Sequence, residues 1–391
     1  MASKKDTNKS SEAAVAATVA DGASTAAAGT TVTSDALREP AEVLYRKELE
    51  ALAAVDTHER PPGWKLSPRA VLAYVVGKEF KGVRPVPKYV GNERVVEIAI
   101  ATLATDRALL LIGEPGTAKS WLSEHLAAAI SGTSQRIVQG TAGTTEEQIR
   151  YSWNYALLLA EGPSQRALVP SPVYRCLADG SLLRFEEITR CPSEVQDALI
   201  TLLSEKILAV PELGTHVQAK RGFNLIGTAN TRDRGVNDMS AALKRRFNMV
   251  VLPVPSDLAT EVAIVERRVA EIGQSLRLPS APPGHESVQR VVQIFQELRR
   301  GQTIDGKHKV KSPSGVLSTA EAISVLGNGM ALAGHFGDGT VSERDLAAGI
   351  LGAVVKEDAR DGEVFVEYLE NVLKKRGNEW TGLYKACKEL V

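Results

Sequence analysis

Ala108-Leu109-Leu110-Leu111-Ile112 runs directly into Gly113-Glu114-Pro115-Gly116-Thr117-Ala118-Lys119-Ser120, and a helical pattern begins at the lysine. An apolar run, a glycine-rich turn and a helix start, in that order, form the context of a phosphate-binding loop. Glycine and proline shape a turn whose backbone N–H groups can face phosphate oxygens at a helix N-terminus. Lys119 supplies a point charge and Ser120 a hydroxyl for Mg²⁺. The chain therefore reads first as a binder of a nucleoside triphosphate. The pattern is G-x-x-x-x-A-K-S, with Ala118 where glycine is usual. Alanine is read as suiting a position that is already helical.

Outward from that loop, apolar strand-like runs alternate with helical patterns, as a parallel sheet requires. Strands are expected at 108–112, 135–139, 181–185, 223–228 and 249–252, with helices near 92–105, 119–131, 193–204 and 240–247. This predicts a doubly wound α/β core over 85–255. Beyond Pro255 the pattern is helical throughout: Leu258, Val262, Val265, Val269 and Ile272 share one face, as do Val288, Val291, Phe295 and Leu298 before Gly301. Ser318 with Glu321, and Ser342 with Asp345, have the spacing of capping pairs. An all-helical second domain is thus expected over 256–391. Upstream, Leu37, Ala41, Leu44, Tyr45, Leu49 and Leu52 predict one amphipathic helix over 35–55. Arg60-Pro61-Pro62-Gly63 breaks it, and Ser67-Pro68 starts another, giving a helical extension over 35–84. Residues 1–34 carry Ala, Thr, Ser, Gly and Lys without an aromatic residue and predict a disordered tail.

Composition bounds the function. The chain has 391 residues, 43% hydrophobic, and its 47 Lys and Arg balance 47 Asp and Glu. No global basic field draws it to nucleic acid or anionic lipid. Cys176, Cys191 and Cys387 fit neither a disulfide framework nor a zinc pattern, and no apolar stretch reaches membrane-spanning length. A reducing cytosol is the expected compartment. The six histidines have no metal-ligand spacing.

A second constellation lies at Ser181-Leu182-Leu183-Arg184-Phe185-Glu186-Glu187, a strand ending in two acids. Glu187 is a candidate base for activating water, and Glu186 a candidate Mg²⁺ partner behind the first shell. The pair would equally favour the positive end of a following helix. The run Phe223 to Thr228 ends at Ala229-Asn230, placing an amide where such sheets bind ligands; Asn230 could position the attacking water or simply open the Asn-Thr-Arg-Asp-Arg-Gly turn. Leu243-Lys244-Arg245-Arg246-Phe247 offers either a solvated helix end or an arginine finger for a neighbouring subunit's γ-phosphate.

Phosphate loop, acidic strand end, Asn-ended strand, Arg-Arg-Phe and helical lid, in this order, resemble the AAA+ ATPases, and more narrowly the MoxR family. The loop with alanine before lysine is similar to that family's form. Tyr151 to Pro172 looks like the insertion the family carries in its second core helix, and Glu205 to Arg221 like the hairpin before its Asn-bearing sensor strand. The resemblance implies that Lys119 contacts the β- and γ-phosphates of ATP, that Ser120 holds Mg²⁺ with Glu186 completing its shell, that Glu187 activates water and that Asn230 orients it. Arg246, or Arg245 as the close alternative, would act in trans. It further implies a homo-oligomeric ring, of six subunits, that remodels a client protein through the hairpin or the insertion, together with a partner bearing a von Willebrand factor A domain. One departure stands out: where relatives show Ser-x-Arg in the lid, this chain reads Ser318-Thr319-Ala320-Glu321. The lid would then be read by another residue, such as Lys311 in the basic stretch from Lys307, or be weakly coupled to hydrolysis. A nucleic-acid motor would need basic and aromatic residues at the hairpin tip. Ala209-Val210-Pro211-Glu212-Leu213-Gly214-Thr215-His216 has one acid and no Lys or Arg. A nucleotide-binding scaffold with little hydrolysis remains the other reading.

Overall fold

A computed structural model of the protein describes residues 36–230, 239–356, 358 and 360–391. The expected tail over 1–34 and most of the stretch that follows Asn230 lie outside the described residues. The chain divides into two units, 1–39 and 40–391. In the first, residues 36–39 hold no helix or strand; everything below concerns the second.

Its helical extension comprises α1 (Ala41–Leu44), α2 (Arg46–Val55) and α3 (Pro68–Val76). The single helix expected over 35–55 is broken at Tyr45, whose backbone leaves the helical region at φ −108° and ψ 24°. That break lets the Tyr45 ring sit edge-on to Tyr74 and His125. Ser67 caps α3, its hydroxyl accepting from the Ala70 N–H as the Ser-Pro start predicts. The extension shares one hydrophobic core with the sheet: Leu52, Val71, Tyr74 and Val75 pack with Leu109, Leu111, Leu122 and Ile226.

The α/β part follows as α4 (Glu93–Leu103), β1 (Ala108–Gly113), α5 (Lys119–Ser131), β2 (Ile137–Gln139), α6 (Glu146–Ile149), β3 (Tyr151–Trp153), α7 (Tyr155–Glu161), β4 (Leu168–Pro170), α8 (Pro172–Asp179), β5 (Leu182–Glu186), α9 (Ser193–Glu205), β6 (Ile207–Val210), β7 (Thr215–Gln218), β8 (Asn224–Asn230), α10 (Ala241–Lys244) and β9 (Phe247–Val251). Five strands form a parallel sheet in the order β2-β5-β8-β1-β9. Its central strands are buried on both faces, which is why they read as continuous apolar runs. Two antiparallel hairpins stand apart from the sheet: β3–β4, with α7 between its strands, and β6–β7. The helix expected over 240–247 ends at Lys244, because Phe247 already pairs with Ala108 as the first residue of β9, and its ring packs beside Gly227.

From Leu258 the chain is helical, through α11 (Leu258–Ser275), α12 (His285–Arg300), α13 (Thr319–Phe336), α14 (Glu343–Val354), α15 (Arg360–Tyr368) and shorter turns beyond. The expected apolar faces close over a separate core that includes Val265, Val291, Phe295, Leu326 and Ile350. Both capping boxes form, at Ser318/Glu321 and Ser342/Asp345. Among the described residues no helix is long and apolar enough to cross a membrane. All three cysteines are buried, and among the described residues none forms a disulfide.

Candidate functional site

Strand register brings the motif ends to one sheet edge. Gly113 pairs with Asn230, Gln139 with Glu186, and Phe185 with Gly227. The phosphate loop therefore starts beside the Asn-ended strand, with the two acids one strand further on. A Cβ on Gly113 would lie 2.6 Å from Thr117 Oγ1 and 2.7 Å from the Leu252 carbonyl, so only glycine fits there. Gly116 turns through φ +80°, and a Cβ there would strike Ser318 of the helical domain at 2.3 Å. Lys119 Nζ donates to the carbonyls of Gly113 at 3.1 Å and Glu114 at 2.8 Å, and Thr117 Oγ1 closes the turn onto Glu114 O. Among the described residues no side chain caps the start of α5, so its first-turn N–H groups suit an anion. Ala118 overturns one expectation: it adopts φ 64° and ψ 24°, left-handed rather than helical. That conformation costs a non-glycine residue about 1–2 kcal/mol, a local strain of the kind found at functional turns.

Glu186 and Glu187 sit side by side in different environments. Glu186 is buried at 3% exposure and takes donors on both oxygens. Ser120 Oγ (2.7 Å) and Thr228 Oγ1 (2.8 Å) reach Oε2, while Ser123 Oγ (2.6 Å) and an Arg184 guanidinium nitrogen (3.0 Å) reach Oε1. Glu187 leaves the strand in the left-handed region at φ 54°, and its N–H donates to Thr228 Oγ1 at 3.0 Å. Asn230 Nδ2 donates to Glu187 Oε2 at 2.8 Å, and Arg190 lies 3.6 Å from the same oxygen. Thr228 thus links both acids. Gly140 makes room for this turn: a Cβ there would lie 2.3 Å from the Glu187 carbonyl oxygen. The donor set fits the Mg²⁺ its pattern implies. Ser120 directs its one hydroxyl proton to Glu186, which leaves its oxygen lone pairs available to a cation beside the phosphate-binding turn.

A cavity of about 500 Å³ opens over the loop. Pro115 to Trp121, Glu187 and Asn230 line its core side, and Lys88, Tyr89 and Val90 a flank. The helical domain contributes Ile264, Arg267, Arg268 and Ile272 from α11, and Thr319, Ala320 and Ile323 from α13. Lys311 is absent from that lining; it pairs with Glu367 at 2.6 Å. Arginines of α11 stand at the pocket instead: the Arg268 guanidinium lies 4.1 Å from the centre of the Trp121 ring and hydrogen-bonds Glu271. Behind Thr319 is a buried hub. Glu261 accepts from Thr319 Oγ1 (2.7 Å), Gln296 Nε2 (2.6 Å) and Arg299 (2.9 Å), tying α11, α12 and α13 together. Lys88, buried against Glu48 and the rings of Tyr45 and Tyr74, has its pKa lowered by burial, which the Glu48 carboxylate opposes.

The remaining expected residues lie away from this cavity. Arg246 is half-buried, donating to Ser204 Oγ at 2.9 Å and the Ala242 carbonyl at 2.7 Å, whereas Arg245 is exposed. The insertion and the hairpin touch: Tyr151 O–H donates to Glu212 Oε2 at 2.6 Å, and Arg150 to the Ala209 carbonyl at 3.1 Å. Sequence reasoning passed over Ser123, Gly140, Arg184, Thr228, Arg267 and Arg268. Only Arg184, a charge inside an apolar strand, carried a visible signal.

Residues 108–247 match the AAA domain (dynein-related subfamily), and residues 259–391 the YehL-like AAA+ ATPase C-terminal domain. The protein YehL of Escherichia coli (strain K12) is 42% identical over 358 residues, spanning 90% of this chain and 97% of that relative. YojN of Bacillus subtilis (strain 168) is 27% identical over 165 residues, 42% of this chain and 53% of that one. Among solved structures, NtrX from Brucella abortus in complex with ATP aligns with a TM-score of 0.46 at 16% identity, over 78% of this chain and 69% of that one.

Proposed function

The chain belongs to the YehL-like AAA+ ATPases, and from that premise we propose that it hydrolyses ATP at the C-terminal edge of its sheet and converts turnover into movement of the helical lid. The observation that carries the reading is the double pairing at adjoining strand ends, Ser120 with Glu186 and Asn230 with Glu187. It separates the two acids by task, one behind the metal and one facing the cavity.

Phosphates bind the first-turn N–H groups of α5 and the Lys119 ammonium, which exchanges its present carbonyl partners for them. The base lies toward the apolar walls made by Val90, Ile264, Ile272 and Ile323. Ser120 and the phosphates would hold Mg²⁺, which would supply charge neutralisation. Glu187, fixed by the Asn230 amide, accepts a proton from water as the water oxygen bonds to the γ-phosphorus. The bond to the β–γ bridging oxygen breaks, leaving ADP and inorganic phosphate.

The finer reading is a MoxR-type ring of six subunits in the cytoplasm. Arg246, or Arg245, completes the neighbour's site, and a client protein is remodelled with a von Willebrand factor A domain partner. Insertion and hairpin support it as one working surface, since the Tyr151–Glu212 bond joins them. The test is phosphate release against protein concentration. Specific activity is expected to rise with concentration and to vanish in Glu187→Gln and in Arg246→Ala or Arg245→Ala. Activity independent of concentration would sink the shared site.

A further inference from the structure

Arg184 is a charged residue in the middle of strand β5, and it shares a face with Leu182 and the strand's last residue, Glu186. Its side chain is 9% exposed and that of Glu186 4%. A charge so placed needs a specific partner set, because desolvation otherwise outweighs any gain. Arg184 has one: its guanidinium reaches Ser123 Oγ at 3.1 Å, the carbonyls of Ser134 at 3.0 Å and Ser120 at 3.1 Å, and Glu186 Oε1 at 3.0 Å. It thereby holds both the backbone of the Mg²⁺-binding serine and the acid behind it.

The donor count on Glu186 gives this contact a functional meaning. A carboxylate offers about four lone-pair sites. Ser120, Thr228, Ser123 and Arg184 supply four donors, two to each oxygen. We propose that Arg184 is the built-in counter-cation of the metal site: it restricts Glu186 to orienting the Ser120 hydroxyl, so that the protein offers Mg²⁺ a single weak ligand and the ion enters and leaves with the nucleotide. The net charge facing the metal from the two acids and Arg184 is one negative instead of two. Arg184 is a positioning residue here; it touches neither substrate nor metal.

The inference rests on the proposed ATP site, and calorimetric titration with a non-hydrolysable ATP analogue, in EDTA and in saturating MgCl₂, tests the two separately. The wild type is expected to bind under both conditions, with affinities within about tenfold of each other. Arg184→Met exposes Glu186 to the metal and should widen that ratio by about a further tenfold. Arg184→Lys, which keeps the charge, and the double change Arg184→Met with Glu186→Gln, which removes both charges, should keep the wild-type ratio. A purely structural salt bridge would lower the stability of the variants without moving the ratio. A wild-type ratio well above tenfold, or an unchanged ratio in Arg184→Met, overturns the proposal. Should Arg184→Met fail to fold, the wild-type and Arg184→Lys ratios decide. No binding under either condition would overturn the ATP site itself, and this proposal with it.

Discussion

The two walls of the nucleotide cavity are built on different principles. The core wall is a row of strand ends whose register fixes Gly113, Glu186, Glu187 and Asn230 within one hydrogen-bonded edge. The lid wall is a set of helix faces held from behind by the buried Glu261–Arg299–Gln296 hub, with arginines from α11 in place of one at the start of α13. A strand end has one place to put its last side chain. A helix face can deliver a cation from several positions. The contrast predicts that changes in the core wall abolish chemistry, while changes in the lid wall shift stability or affinity.

The largest effect is expected at Glu187. Glu187→Gln should lower turnover about 10²- to 10⁴-fold while leaving ATP affinity nearly unchanged, as phosphate release and calorimetry would read it. A variant that still turned over would break the assignment of tasks between the two acids. On the lid side, Glu261→Ala leaves the half-buried Arg299 without its carboxylate, and removing one member of such a pair costs at most about 3–5 kcal/mol. Thermal unfolding should show that loss in the helical domain first. If the stability is unchanged, the hub does not hold the lid together.

A smaller effect separates Arg267 from Lys311. Arg267→Ala should weaken ATP binding about tenfold to a hundredfold, the size of one hydrogen bond to a charged group, whereas Lys311→Ala should leave it unchanged because its partner is Glu367. Equal affinity in both variants would return the lid to the weakly coupled reading.

These same walls explain what the sequence could and could not disclose. The phosphate loop, the acid pair and Asn230 were legible because each lies within a few residues of an apolar strand, and the parallel fold then forces the ends together. Thr228 and Ser123 were not, since their roles arise only when β8 and α5 meet Glu186 across the sheet. Arg267 and Arg268 read as ordinary exposed positions of an amphipathic helix, and nothing in a 3.6-residue period marks which polar side faces a ligand. Tyr45 was hidden for a similar reason: an aromatic in an apolar stripe fits an unbroken helix, and only its packing against Tyr74 and His125 shows why the helix stops there.

Ala118 is the sharpest case, because its identity was plain and its conformation was not. Its place just before Lys119 suggests a helical residue, yet its φ of 64° lies in the region that favours glycine. The methyl group costs about 1–2 kcal/mol there, and glycine would return about 0.5–1 kcal/mol of that through its greater freedom in the unfolded chain. Ala118→Gly is therefore expected to raise stability by at most about 1.5 kcal/mol, measured by chemical denaturation, and to leave nucleotide affinity unchanged. A loss of stability would mean that the methyl group makes favourable packing contacts at the loop. A loss of affinity with stability intact would mean that the stiffer backbone of alanine holds the N–H groups of the turn in place for phosphate. In that outcome the core wall, like the lid wall, would owe part of its function to a residue whose role no motif records.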